Sequence, residues 1–98
     1  MERIKNQTLA RALIPKPRLL LLDEPTLGLA PNLITKSFDK LVDINREQKV
    51  AMLIVEQKVN EILRIANRVY CIRLGKVAYE GEARKLGGDK KKLGELFL

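Results

Sequence analysis

The chain has 98 residues, 46% of them hydrophobic and 32% charged, which describes a globular protein with room for one domain and a modest core. Its 19 Lys and Arg residues against 12 Asp and Glu residues give 19 − 12 = +7, but they are scattered apart from Lys90–Lys92, and only four aromatic residues could stack on bases, so nucleic acid is not an expected partner. No histidine is present, which removes the commonest general base and favours oxygen-ligated Mg²⁺ over Zn²⁺.

The cysteine content and the first residues indicate the cellular compartment of the chain. A single cysteine, Cys71, excludes an internal disulfide and agrees with a reducing environment. The opening residues MERIKNQ lack the apolar segment of a signal peptide, and no run approaches the roughly 18 apolar residues of a membrane span. We therefore expect a cytoplasmic chain unless a partner holds it at a membrane.

The first elements in chain order are a helix and a strand. The residues from Ile4 to Leu13 are predicted to be helical, and the Pro15-Lys16-Pro17 break ends the helix. The apolar run Leu19–Leu22 follows, and Pro25 stops it shortly afterwards. An apolar run of this length is typical of a strand buried on both faces of a parallel sheet.

A second helix, a second strand and a third helix follow. Ala30-Pro31 opens the second helix, because proline suits the first helical turn. The continuous apolar segment VAMLIV, from Val50 to Val55, predicts another strand. Apolar residues at helical spacing mark one face of each helix: Ile34, Phe38, Leu41 and Val42, then Val59, Ile62, Leu63 and Ala66. Alternating strands and helices predict an α/β fold with a parallel sheet.

In the last third of the chain, the spacing of apolar residues changes from helical to strand-like. RVYCIR and KVAYEG are rich in β-forming residues and meet at Leu74-Gly75, which predicts a hairpin or a bent strand pair. From Glu82 onward the sequence is rich in lysine and glycine, and we expect one or two short helices. Their apolar anchors would be Leu86, Leu93, Leu96 and Phe97.

Two adjacent acids, Asp23 and Glu24, follow the leucine run. Parallel sheets keep their ligand sites at the carboxyl ends of the strands. Two carboxylates at the rim of a core are costly unless a cation or a proton relieves them. The pattern therefore indicates nucleotide hydrolysis, in which the first carboxylate holds Mg²⁺ and the second positions or activates water. The alternative is a strand that ends in two solvated acids.

The stretch LARALIPKPRLLLLDEPTLGLAPNLI resembles the second half of an ABC-transporter ATPase domain, and more narrowly the ATP-binding subunits of branched-chain amino-acid uptake. Leu9–Leu13 is similar to the helix behind the LSGGQ signature of that family, and RLLLL with Asp23-Glu24 is similar to its Walker B motif. Leu27–Ala30 resembles the LGLAP variant of its D-loop. LIVEQKV and RVYCIRLGKVAYEGEA resemble its switch region and closing strands, so the resemblance extends from about Thr8 to Leu98.

The resemblance implies a fold and a set of roles. The fold would be the C-terminal part of a P-loop, RecA-like ABC ATPase core, in one partial α/β domain over residues 1–98, with a closing β pair and short C-terminal helices. Asp23 would bind Mg²⁺ through water, and Glu24 would be the general base. Gln57, where most members carry histidine, would contact the γ-phosphate of ATP through an amide that donates without a positive charge. From its residue type alone, Gln57 is also compatible with a solvated position that opens a helix.

The implied partners are transmembrane permease subunits and a second ATPase subunit. The D-loop residues would face that second subunit: Thr26, Leu27, Gly28, Leu29 and Ala30. In such an assembly the chain would be peripheral at the inner face of the cell membrane.

Two motifs of the family are absent from the 98 residues, namely the GxxxxGK(S/T) phosphate loop and LSGGQ. Without the backbone cradle and the lysine of the phosphate loop, we expect this chain alone to bind neither ATP nor Mg²⁺ tightly and to be catalytically inactive. Because MERIKNQ does not match the residues that usually follow LSGG, a truncated or degraded reading frame is favoured over a fragment of a longer subunit.

The expected function is therefore that of a truncated ATP-binding subunit, which in intact form would couple ATP hydrolysis to branched-chain amino-acid uptake. The alternative is a non-catalytic α/β binding or regulatory module that pairs through an exposed sheet edge. In the family the phosphate-loop strand lies between the switch strand and the next one, so its absence predicts a gap between Val50–Val55 and Arg68–Arg73. We therefore expect self-association or marginal stability.

Overall fold

The computed structural model describes residues 2–4 and 9–97, which divide into two compact units, Met1–Gln57 and Lys58–Leu98. The first unit contains strands β1 (Glu2–Ile4), β2 (Leu19–Asp23) and β3 (Ala51–Val55) and helices α1 (Leu9–Leu13) and α2 (Pro31–Gln48). The second contains α3 (Val59–Ile65), β4 (Arg68–Arg73), β5 (Lys76–Glu82), α4 (Ala83–Gly87) and α5 (Lys90–Phe97). None of the described helices has the length and apolar character that crossing a membrane requires.

The sheet of the first unit is parallel, with strand order β1-β2-β3. β2 lies in the middle, so its backbone groups are hydrogen-bonded on both sides and the leucine run can be buried at little polar cost. Leu20 and Leu22 are buried, and the residues between and beside them are half buried. The predicted strand is therefore confirmed.

The predicted amino-terminal helix is partly wrong. Ile4 belongs to β1, where it pairs in parallel register with Leu22, and helix α1 covers Leu9–Leu13 among the described residues. Pairing with a buried neighbouring strand outweighs a weak local helical pattern, since propensity is a small term compared with tertiary packing. Residues 5–8 of that predicted helix lie outside the described residues.

Helix α2 begins and buries its apolar face as predicted. Ala30 is extended, and Pro31 occupies the first turn. Along the face, Phe38, Leu41 and Ile44 are buried, while Ile34 and Val42 are half buried.

The end of α2 sets the start of β3. Lys49 adopts a left-handed conformation with φ 53°, which stops the helix. The Asn45 side chain then donates a hydrogen bond of 2.7 Å to the carbonyl oxygen of Val50. Val50 is itself buried, so the chain enters β3 from a fixed position.

Strand β3 is hydrogen-bonded to β2 alone among the described residues, so its other edge is unpaired there. Burial alternates along β3: Met52 and Ile54 are half buried, whereas Leu53 and Val55 are 53% and 51% exposed. The strand thus forms as predicted, although an entirely apolar sequence leaves one face partly open.

The second unit is built on an antiparallel hairpin. β4 pairs with β5, and the turn at Leu74-Gly75 has positive φ at both residues, 50° and 76°. This is the backbone that matches the twist of two hairpin strands. The predicted hairpin is confirmed, with an irregular register between Cys71 and Ile72.

A small apolar core closes the second unit. The buried members are Val69, Ala83, Leu86 and Leu96, and the partly buried residues around them are Ile62, Leu63, Ala66, Cys71, Tyr79 and Leu93. The two short carboxyl-terminal helices are therefore anchored as predicted, except at Phe97, which is 44% exposed. Adjacent residues of a helix point about 100° apart, so burial of Leu96 directs Phe97 away from the core.

Candidate nucleotide and magnesium site

The carboxyl ends of β2 and β3 meet at one edge of the first unit's sheet. Asp23 is in parallel register with Val55, and the Glu24 N–H donates to the Val55 carbonyl oxygen over 2.8 Å. Glu56 and Gln57 directly follow the last residue of β3. The pairs Asp23-Glu24 and Glu56-Gln57 therefore lie at the ends of two neighbouring strands, at the same edge of the sheet. Asp23 and Glu24 are half buried, which places them at the rim of the core.

The loop after Asp23 is tightly turned. The Leu27 N–H donates to the Glu24 carbonyl oxygen, and the Leu29 N–H donates to the Thr26 carbonyl oxygen, each over 3.1 Å. Glu24 has φ 48° and Gly28 has φ 85°. A left-handed conformation costs a residue with a side chain about 1–2 kcal/mol, and such costs concentrate at functional sites.

The five residues predicted to face another subunit divide into two groups. Thr26 is only 1% exposed. The other four, from Leu27 to Ala30, are exposed, with Leu27 at 53% and Leu29 at 37%. The loop therefore holds one inward-facing polar side chain and presents a short solvent-exposed segment.

The buried threonine connects the loop to the exit of β3. Its Oγ1 donates a hydrogen bond of 3.0 Å to Oε2 of Glu56, while the Gln57 N–H donates to Oε1 of the same carboxylate over 3.0 Å. Sequence reasoning missed Glu56. The signal was present, because Glu56 directly follows an apolar strand, just as Asp23 and Glu24 follow the apolar run Leu19–Leu22. The Gln57 residue itself is exposed.

Carboxylate oxygens are the donors that Mg²⁺ prefers. Among the described residues, no group of three or more histidine, cysteine, aspartate or glutamate side chains could hold a metal ion by itself. Asp23 supplies oxygen donors at this edge, which is the donor type that the predicted Mg²⁺ site requires.

A parallel sheet with acids at the carboxyl end of its middle strand and a polar residue after the next strand has the arrangement of an α/β protein with a ligand site at that edge. The homologues of this chain are ABC transporter ATP-binding proteins, some of them for branched-chain amino acids, which confirms the resemblance of its motifs. Its structural neighbours are ABC ATPase domains, which confirms the fold class.

Two relatives and one solved structure illustrate the match. The chain is 45% identical over 69 residues to the high-affinity branched-chain amino acid transport ATP-binding protein BraG of Pseudomonas aeruginosa, covering 70% of this chain and 29% of that protein. It is 37% identical over 78 residues to the probable branched-chain amino acid transport ATP-binding protein LivF of Archaeoglobus fulgidus, covering 80% and 33%. The structure of cbiO1 from Clostridium perfringens, part of the ABC transporter complex cbiONQ, matches with a TM-score of 0.77 at 25% identity, covering 87% of this chain and 34% of that one.

The chain thus spans about a third of the length of these curated relatives. No protein-family model matches it.

Proposed function

We propose that this chain acts as part of the ATPase domain of an ABC-transporter subunit that energises branched-chain amino-acid uptake. The observation that supports the proposal is the parallel register of Asp23 with Val55. Glu24 follows the first of these residues, and Glu56 and Gln57 follow the second. The 45% identity to BraG supports branched-chain amino acids as the solute. The subunit would work at the inner face of the membrane, with permease subunits and a second ATPase subunit as partners.

Each site residue has a role in this proposal. Asp23 would hold Mg²⁺ through water, and the ion would supply positive charge against the phosphates of ATP. Glu24 accepts the proton of the attacking water as general base. Gln57, which is exposed, would donate an amide hydrogen bond to the γ-phosphate. The exposed segment from Leu27 to Ala30 contacts the second ATPase subunit.

A full-length chimera tests these roles. The preceding part of BraG is joined to this chain, and ATP binding and turnover are measured separately. Glu24→Gln should keep ATP binding and lower turnover about 10²- to 10⁴-fold, because it removes the base and preserves the shape. Asp23→Asn should instead weaken Mg²⁺-dependent binding.

Asp43→Asn is the matched control, since Asp43 is an exposed acid on α2. It should leave both quantities unchanged. Equal and mild losses in the Asp23 and Glu24 variants would contradict the assigned roles.

The 98 residues alone should not bind MgATP saturably below millimolar concentration. The phosphate loop of the family supplies charge-assisted hydrogen bonds worth about 1.5–3 kcal/mol each, and this sequence lacks that loop. Four such bonds exceed the about 4 kcal/mol that separates micromolar from millimolar affinity. Calorimetry is the measurement, and a micromolar dissociation constant would overturn the expectation.

In the part of the chain that the structure describes, one edge of β3 has no partner strand. This favours a second candidate, a non-catalytic α/β module that binds a partner through this edge. Leu53 and Val55 are about half exposed on the same strand. A chimera without ATPase activity, together with a 98-residue chain that forms a stable complex through β3, would favour this candidate over the first.

A further inference from the structure

We propose that Glu56 is a positioning residue for Gln57 and that the buried hydroxyl of Thr26 holds Glu56 in place. The inference rests on the proposed function for the catalytic use of Gln57, whereas the contacts themselves belong to the chain without any nucleotide. Thr26 and Glu56 are 30 positions apart in sequence, and the hydrogen bond joins the loop after β2 to the exit of β3.

Thr26 is the fixed end of this connection. Its side chain is 1% exposed, and its carbonyl oxygen accepts the Leu29 N–H. Two residues earlier, the Glu24 N–H is bonded to the Val55 carbonyl oxygen of the neighbouring strand. The loop is thus attached to the sheet on one side of Thr26 and closed by a turn on the other, so the hydroxyl has a defined place.

Gln57 is the end that needs support. It is exposed and lies between β3 and α3, outside regular secondary structure, so no strand or helix ladder orients its backbone. The hydrogen bond of its N–H to Oε1 of Glu56 provides that orientation. A carboxylate that accepts one bond on each oxygen cannot rotate without breaking one of them. The Thr26 hydroxyl therefore limits the positions that Gln57 can adopt.

The chemistry of the three groups supplies matched variants. Thr26→Ser keeps the hydroxyl donor, whereas Thr26→Val keeps the shape and removes the donor. Glu56→Gln keeps an oxygen for the Gln57 N–H and gains an amide that can donate to the Thr26 hydroxyl, because a hydroxyl also accepts. Glu56→Ala removes both contacts.

The test is the ¹⁵N relaxation of the full 98-residue chain without nucleotide. In Thr26→Val and Glu56→Ala, the backbone order parameter of Gln57 should fall from about 0.85 to below about 0.6. In Thr26→Ser and Glu56→Gln it should stay near the unsubstituted value. Leu22, buried in β2, is the internal control for a folded first unit and should not change in any variant.

The same order parameter at Gln57 in all five proteins would overturn the inference. So would a fall in Thr26→Ser as large as that in Thr26→Val, because it would show that shape matters and the hydroxyl does not. If Thr26→Val unfolds the unit, Glu56→Ala and Glu56→Gln still decide the question, since Glu56 is only half buried. Failure of the proposed function would appear elsewhere, as unchanged turnover in the Glu24→Gln chimera.

Discussion

The two units of this chain differ in whether they bury polar side chains. In the first, Thr26 is the one buried polar side chain found among the described residues, and the half-buried Asp23 and Glu24 lie close to it along the chain. In the second, the core is apolar, and the ion pair between Arg68 and Glu80 lies on the surface. Buried polar groups and left-handed backbone at a sheet edge are costs that proteins accept at functional sites. The first unit therefore carries the candidate site, while the second has the pattern of a structural element.

Removing the largest buried side chain of the first unit should have the greatest effect. Phe38 on α2 is fully buried, so Phe38→Ala should lower the free energy of unfolding by about 3–5 kcal/mol. Phe97→Ala, at a residue that is 44% exposed on α5, should cost less than about 1 kcal/mol. Urea denaturation followed by circular dichroism measures both.

Tyrosine fluorescence sharpens the same experiment, because Tyr70 and Tyr79 both lie in the second unit. If the units unfold separately, the transition reported by fluorescence should not shift in Phe38→Ala. Equal destabilisation by both alanine variants would contradict the assignment of the core.

The sequence predicted elements well where local pattern and tertiary environment agree. β2, α2 and the hairpin have strong signals in apolar period, in Pro31 and in Leu74-Gly75, and all three formed where expected. Glu2–Ile4 was missed because its strand depends on pairing with β2, which no local signal reports. The open face of β3 was missed because apolar composition indicates that a strand can be buried without showing what covers it.

The candidate site was predicted in part for a similar reason. Asp23 and Glu24 were identified because they follow an apolar run that predicts a buried strand. The carboxyl ends of parallel strands meet at one edge of the sheet, where ligands bind. The same rule applied to Val55 would have identified Glu56. The inward direction of Thr26 could not be derived, because it depends on two turns and a partner 30 residues away.

Self-association through β3 is the next prediction, because β3 has one unpaired edge among the described residues and Leu53 and Val55 on it are about half exposed. Unpaired strand edges with apolar side chains readily pair with another chain. We expect a concentration-dependent dimer in sedimentation, and we expect Leu53→Lys to weaken it at least about tenfold, which corresponds to about 1.4 kcal/mol.

Leu74→Lys is the control, because it adds the same charge at a residue that is 99% exposed in the hairpin turn of the second unit. It should leave the dimer unchanged. A monomeric chain with a cooperative melt above about 65 °C would contradict both self-association and marginal stability.

The hairpin turn offers a smaller effect in the second unit. Leu74 has φ 50° and is almost fully exposed. Its left-handed backbone therefore costs free energy that no packing of the side chain offsets. Leu74→Asn places Asn-Gly at a turn whose two central residues both have positive φ, and it should stabilise the chain by about 0.5–1 kcal/mol. Leu74→Ala, which keeps the cost of a β-carbon, should give less. Thermal melts compare the three proteins, and equal midpoints would show that the turn is unstrained.

The smallest effect concerns the surface pair of the second unit and depends on pH. A hydrogen bond of 2.8 Å from Arg68 Nη2 to Glu80 Oε2 holds the pKa of Glu80 below its ordinary value. A carboxyl whose pKa is lowered in the folded state adds stability above the ordinary value, and this stability is lost as pH falls through the lowered one. The melting temperature of Glu80→Gln should therefore lie slightly below that of the unsubstituted chain at about pH 7 and equal it at about pH 2.5. Salt should shrink the difference at neutral pH, because both side chains are about half exposed. Glu47→Gln, at an exposed position on α2, supplies the baseline. A difference that grows with acidification would have the wrong sign and would mean that the pair does not stabilise the hairpin.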